Sequence, residues 1–230
     1  MKPVLVLQHQ DDVAPGNLGE WLTVQGIPFV VQDVTAQGPH DETDWGAVVV
    51  LGSKESAYDA SVPWLEWERT ELRRHLDAGR PLLGICFGAQ LLAQLTGGSV
   101  AAARSPERGW IDVEGSPLTG SWFAWHGDEI TVPPQAQVLA RSSACVQAFQ
   151  VGPHLGVQFH PEVSLAMITG WLAENRRQEQ LSAVDSTIDT VLAESAARAA
   201  EAEQAAHRLY AGFFGFLLRS PDPYSGLTSR

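Results

Sequence analysis

Three side chains in this sequence have the types and spacing for nucleophilic chemistry. Cys86 stands in "PLLGICFGAQLLAQL", between Gly84 and Gly88, where a short apolar run meets an amphipathic one. His160 stands in "LGVQFHPEVS", at the end of a second apolar run, with Glu162 two residues on. A cysteine on a sharp strand-to-helix turn is lifted out of the core. Glycines on both sides remove the Cβ clashes of such a turn, and the positive end of the following helix stabilises a thiolate. A thiolate formed there needs a base. In an extended segment residues i and i+2 share a face, so Glu162 can reach the His160 imidazole, fix its tautomer and stabilise the imidazolium. Each motif alone has a plainer account: a structural cysteine in a tight turn, or a surface histidine beside a turn proline. Taken together each supplies what the other lacks, and they must meet through the fold.

The elements that would position them can be read from the apolar pattern. "PVLVLQH" (3–9), "PFVVQDV" (28–34), "WGAVVVLGS" (45–53) and "PLLGI" (81–85) are strands. They alternate with helices in "GNLGEWLTVQG", which ends at Gly26, in 63–78 with Ser61 as cap, and in "GAQLLAQLTG", ended by Gly97 and Gly98. Alternation of this kind implies a parallel sheet with crossover helices. From about Ser99 the pattern changes to short strands with frequent turns, "GSVAAA", "GWIDVEG", "WFAWHGDEITVP", "AQVLARSS", "CVQAFQVG" and "LGVQFHP", expected as an antiparallel or mixed extension of the same sheet. "SLAMITGWLAENRRQE" returns to helix. The tail is rich in Ala and Glu, with Val184, Ile188, Val191 and Ser195 on one face. It is expected as one long helix to about Leu209 followed by a short apolar helix. The cluster Phe213, Phe214, Phe216, Leu217 and Leu218 either packs over the core or forms an interface between copies. The expected division is a domain over 1–180 and a helical extension over 181–230.

Composition narrows the function classes. The 230-residue chain carries a net charge of −12, which argues against a nucleic-acid partner. No apolar run approaches the roughly 18 residues of a membrane span, and the N-terminus reads as a first strand instead of a signal peptide, so a cytoplasmic location is expected. With Cys86 and Cys145 as the only cysteines, a disulfide framework is not expected. Phosphate-cradling glycine motifs do not occur, and no cofactor or metal is expected. The acidic pairs Asp11-Asp12 and Asp41-Glu42 read as solvated loop charges.

"PLLGICFGAQLLAQLTGG" together with "GVQFHPE" resembles the nucleophile elbow and the His-x-Glu segment of the class I glutamine amidotransferases. "VVVLGSKESAYD" resembles that family's oxyanion loop, and "ERGW" and "WHGDEITVPPQAQVLARS" resemble the stretches between. The likeness covers about Val4 to Trp171, and its nearest branch is the stand-alone proteins related to the amidotransferase domain of GMP synthase. It implies an α/β fold, a flavodoxin-like three-layer sandwich with a mostly parallel central sheet, a smaller antiparallel extension and a C-terminal helical tail. It also implies cysteine-dependent hydrolysis of the glutamine side-chain amide through a γ-glutamyl thioester. Cys86 would be the nucleophile, His160 the base and then the acid, and Glu162 the orienting group. Oxyanion and substrate contacts would come from Gly52, Ser53, Phe87, Gln90, His126 and Gly127. Ammonia would pass to a separate synthase or acceptor protein. The alternatives are an independent hydrolase of another γ-glutamyl compound and a non-catalytic regulatory protein on the same fold. The family usually has Gly-Gly-Pro in the oxyanion loop, whereas this chain has Gly52-Ser53-Lys54. Either the loop is pre-set differently here, or Ser53 bears a strained backbone.

Overall fold

The computed structural model describes residues 1–36, 44–184 and 186–218. Asp41, Glu42 and the last part of the expected extension, 219–230, lie outside the described residues. The chain opens with β1 (Val4–Gln8), α1 (Gly16–Val24), β2 (Phe29–Asp33), β3 (Ala47–Val50), α2 (Leu65–Asp77), β4 (Leu82–Ile85) and α3 (Phe87–Leu95). It continues through β5 (Ser99–Val113), β6 (Gly120–Thr131), β7 (Gln137–Arg141), β8 (Val146–Val151) and β9 (His154–Val157) to α4 (Leu165–Leu172), α5 (Asn175–Ser182) and α6 (Ile188–Leu218).

Seven strands form the main sheet in the order β2-β1-β3-β4-β9-β8-β7. β2, β1, β3, β4 and β9 are mutually parallel, and β8 and β7 continue the sheet antiparallel. Side chains alternate across a strand, so the continuous apolar runs feed two cores. Val4, Val6, Val49, Leu83 and Ile85 face Leu18 and Leu22 of α1, Ile168 and Trp171 of α4 and Tyr210 and Phe214 of α6. Leu5, Leu7, Val48, Val50 and Leu82 face Leu65 and Leu72 of α2 and Leu91 and Leu92 of α3. The parallel sheet with crossover helices is what the alternating pattern implied, and the three-layer, flavodoxin-like arrangement is what the family resemblance implied.

Several local expectations are corrected. "GSVAAA" and "GWIDVEG" are one strand, β5, with an irregularity between Ala102 and Glu107, and β5 pairs only with β6 in a separate two-stranded ribbon. The "WHGD" stretch lies within β6, as the strand reading of "WFAWHGDEITVP" expected. Ser61 does not cap α2: its hydroxyl is turned to Asp59, and Trp64 occupies the cap position without a side-chain bond. "SLAMITGWLAENRRQE" breaks into α4 and α5. Among the described residues of the tail, α6 is one continuous 31-residue helix without the expected break after Leu209.

The face of α6 that carries Val191, Ser195, Ala206, Tyr210 and Phe214 is buried. Tyr210 and Phe214 pack on Trp21 with ring centroids 5.7 and 5.8 Å apart, and Trp110 Nε1 donates to Ser195 Oγ at 2.8 Å. Phe213 and Leu217 flank the same core, while Phe216 and Leu218 remain exposed. Among the described residues no helix is long and apolar enough to cross a membrane. Burial sets the expected mutational response. Phe214→Ala should lower unfolding free energy by about 3–5 kcal/mol in chemical denaturation, whereas Phe216→Ala, at an exposed position on the same helix, should stay within about 0.5 kcal/mol.

Candidate active site

The carboxyl ends of β1, β3, β4 and β9 lie side by side, and each runs directly into a segment with a polar group: His9, Gly52-Ser53, Cys86 and His160. This edge is where an open α/β sheet leaves room for a ligand. A cavity of about 310 Å³ opens there, lined among others by Gly52, Ser53, Cys86, Gln90, Arg108, His126, Gly127 and His160.

Cys86 has φ 52° and ψ −104° and is the only described non-glycine residue with positive φ. Its backbone is pinned on both sides: its N–H donates to the Val157 carbonyl at 2.8 Å, and its carbonyl accepts from Gln90 N–H at 3.1 Å. Neither Gly84 nor Gly88 needs positive φ. They are required by crowding, since a Cβ on Gly84 would collide with the Gly88 carbonyl, and one on Gly88 with the Val50 carbonyl. The turn delivers Sγ to the N-terminus of α3, where Gln158 Nε2 donates to it at 3.5 Å and the Trp125 carbonyl lies 3.9 Å away. Gln90 Nε2 in turn donates to Gln158 Oε1 at 3.4 Å.

His160 reaches the same cavity from the end of β9. Its N–H donates to the Phe123 carbonyl at 2.7 Å, so the β5–β6 ribbon holds its backbone. Nδ1 meets Glu162 Oε1 at 2.7 Å, with both side chains almost fully buried. Burial works against charge on this ring, but the Glu162 carboxylate and Cys86 outweigh it, and the His160 value is raised to about 10. The Trp171 edge packs on the ring at 5.1 Å. Gly52 completes the fit, because a Cβ there would approach His160 Cε1 to 3.0 Å. The Glu162 carbonyl accepts from Asn17 N–H at 3.0 Å at the start of α1, and Tyr210 on α6 donates to Asn17 Oδ1 at 2.8 Å.

The remaining sequence candidates divide. Gln90 and Gly127 line the cavity; Phe87 has its ring buried behind it. Ser53 lines the cavity without positive φ, so the strained-serine alternative is excluded. The ring of His126 is committed elsewhere: Nδ1 donates to the Asp128 carbonyl at 2.9 Å and Nε2 faces Glu107 Oε2 at 3.0 Å. Glu107, His126 and Cys145 have donor atoms within 4.8 Å of one another. Glu107 Oε2 already accepts from Gln147 Nε2 at 2.6 Å and from the Cys145 thiol at 3.5 Å, so a hydrogen-bond network accounts for the group. Burial, then Glu107, push the Cys145 thiol up to about 12, which keeps it protonated.

Sequence reasoning missed Gln158, Trp171, Arg108, Arg177 and the buried pair His9–Glu68. Asp12, read as a solvated charge, instead pairs with Arg177 at 2.6 Å, and that guanidinium lies over Trp171 at 4.4 Å. Arg108 Nε is buried without a hydrogen-bond partner among the described residues. Arg108 lies within "ERGW" and Gln158 within "GVQFHPE", but nothing in those stretches marks them as site residues, and the others carry no motif, since each acts through a contact between distant segments.

A cysteine on a strained strand-to-helix corner, beside a buried histidine–carboxylate pair at the carboxyl edge of a flavodoxin-like sheet, defines a class of α/β proteins equipped for thiol chemistry. The sequence profile of the family described as "Glutamine amidotransferase class-I" matches residues 30–175. The chain belongs to that family of enzymes. It is 38% identical over 146 residues to the "GMP synthase [glutamine-hydrolyzing]" of Thermomicrobium roseum, a match covering 55% of this chain and 26% of that one. It is 44% identical over 105 residues to one subunit of the "GMP synthase [glutamine-hydrolyzing]" of Ignicoccus hospitalis, covering 40% of this chain and 56% of that one. The chain thus spans about a quarter to a half of the length of these curated relatives. Among solved structures, a glutamine amido transferase from Methylobacillus flagellatus superposes with a TM-score of 0.87 at 26% identity, covering 97% of this chain and 98% of that one.

The folded-state value of His160 lies above its ordinary 6.5, so protonated His160 stabilises the fold. That contribution is complete below 6.5 and is lost as pH rises towards about 10. In an NMR titration the His160 ring should remain protonated through neutral pH, and in Glu162→Gln its transition should move to lower pH.

Proposed function

We propose that this chain hydrolyses the side-chain amide of glutamine to glutamate and ammonia, with Cys86, His160 and Glu162 as the catalytic set. The observation that carries the reading is the meeting, in one cavity, of the Cys86 sulfur at a positive-φ corner and an imidazole backed by a buried carboxylate. The Cys86 thiolate adds to the carboxamide carbon, and the electron pair of the C=O bond moves to oxygen. Backbone N–H groups of Phe87 and Ser53 hold that oxyanion. As the intermediate collapses, the C–N bond breaks and His160 protonates the departing ammonia. Water, deprotonated by His160, then attacks the γ-glutamyl thioester, releases glutamate and returns the thiolate. Glu162 keeps Nε2 of His160 turned to the sulfur by holding Nδ1.

Arg108 supports a small substrate with a free carboxylate. It lines the cavity beside Gly127, and among the described residues its buried Nε has no hydrogen-bond partner. The other cavity arginine, Arg177, is neutralised by Asp12. We assign Arg108 to the α-carboxylate of glutamine, with Gln90 and the backbone of Gly127 beside it. The names of the GMP synthase relatives support delivery of ammonia to a separate synthase protein. In this reading residues 1–180 are the amidohydrolase unit, and 181–230 an extension whose described helix braces it.

In a glutamate-release assay, Cys86→Ala should lose activity by on the order of 10⁴-fold or more with an unchanged circular dichroism spectrum; retained hydrolysis would refute the assignment. Arg108→Met should raise KM for glutamine by roughly tenfold to a hundredfold with a smaller change in kcat. The difference should vanish for substrates whose α-carboxylate is amidated. Ammonia transfer to a partner is tested by measuring glutaminase turnover with and without candidate synthases.

A further inference from the structure

Two buried side chains outside the catalytic set act on the loop that faces Cys86. His9 follows β1 directly, and its Nδ1 lies 3.1 Å from the Gly52 carbonyl oxygen. A carbonyl only accepts, so Nδ1 carries the proton. Nε2 of the same ring lies 2.9 Å from Glu68 Oε1 in the first turn of α2, and both side chains have no solvent exposure. The other oxygen of Glu68 is buried with no hydrogen-bond partner among the described residues. A carboxyl group held this way is costly to bury, and its contact with His9 is what offsets that cost. The His9 ring is fixed from its sides as well. It lies 4.9 Å from Trp64 and 4.9 Å from Phe87, the residue whose N–H follows the sulfur.

The consequence lies in peptide geometry. In a trans peptide unit the carbonyl and the following N–H point in opposite directions. With the Gly52 carbonyl turned back to His9, the N–H of Ser53 is turned the other way, and Gly52 and Ser53 both line the cavity that holds Cys86. Ser53 does not have the left-handed φ that a second glycine would supply cheaply. A hydrogen bond, not backbone freedom, therefore sets the orientation of this peptide. We infer that His9, held by its hydrogen bond to Glu68, is a positioning residue that locks the 52–53 peptide with its N–H towards the oxyanion, and that it braces the Phe87 donor through ring contact. The inference rests on the reading of Cys86 as the amide-attacking nucleophile.

The test compares, in the full chain, His9→Phe/Glu68→Leu with His9→Asn/Glu68→Leu. The first keeps an aromatic ring and leaves no unpaired charge; the second restores a donor at the position of Nδ1. Glutamine hydrolysis and alkylation of Cys86 by iodoacetamide are followed together, because alkylation displaces iodide at a saturated carbon and forms no oxyanion. The expected result for the double variant is a kcat lower by on the order of 10²–10³, with KM and the alkylation rate within about threefold of the wild type. His9→Asn/Glu68→Leu should recover most of kcat. A folded double variant with kcat within threefold of the wild type overturns the inference. So does a parallel fall of kcat and alkylation, which signals general damage to the site. A wild-type chain inactive on glutamine would instead remove the functional reading. The positional claim is then decided by the ¹⁵N–¹H resonance of Ser53: a large shift in His9→Phe/Glu68→Leu supports it, and an unmoved resonance overturns it.

Discussion

The backbone of Cys86 is held where a side-chain-bearing residue does not rest by choice. A positive φ of 52° at a non-glycine residue stores on the order of 1–3 kcal/mol. The surroundings over-determine it. β4 must end, α3 must begin, and α3 must lie so close to β4 that Gly84 has no room for a Cβ, and so close to β3 that Gly88 has none. Bonds to Val157 and Gln90 close the corner. Once that turn exists, the sulfur has one place to go, and the other groups of the site are defined by how they approach it.

They approach from strands that are neighbours in space. Parallel strands β1, β3, β4 and β9 end at one edge, so four loops distant in sequence arrive together. The polar groups gathered there are fixed from behind by partners out of reach of solvent. His160 is backed by Glu162, His9 by Glu68, and Gln90 by Gln158. Burial strengthens such pairs and makes an unpaired member expensive. The His160–Glu162 pair shows the balance. Desolvation alone would drive the imidazole neutral, and the carboxylate and sulfur beside it reverse the sign.

The long C-terminal helix is part of the same arrangement. Tyr210 reaches Asn17, and the first turn of α1 holds the carbonyl of Glu162. The acid that orients His160 is therefore braced by an element from the far end of the chain. The β5–β6 ribbon plays the corresponding part for the His160 backbone.

The sequence by itself determined the α/β class and the candidates Cys86, His160 and Glu162, because strand and helix periods, a glycine-flanked turn and an i, i+2 pair are local properties of the chain, and its motifs carried the resemblance to the family. It also showed that Ser53 departs from the usual pattern, but not how that departure is accommodated. Only the tertiary structure decided that β5 and β6 form their own ribbon, that α6 runs unbroken and folds back on Trp21, that His126 is spent on Glu107 and Asp128, and that Arg108 stands at the cavity without an ion pair among the described residues. It also decided that His9 and Glu68 meet behind Gly52. These depend on which segments pack together, and packing brings buried polar groups into contact across distances in sequence that carry no period and no motif.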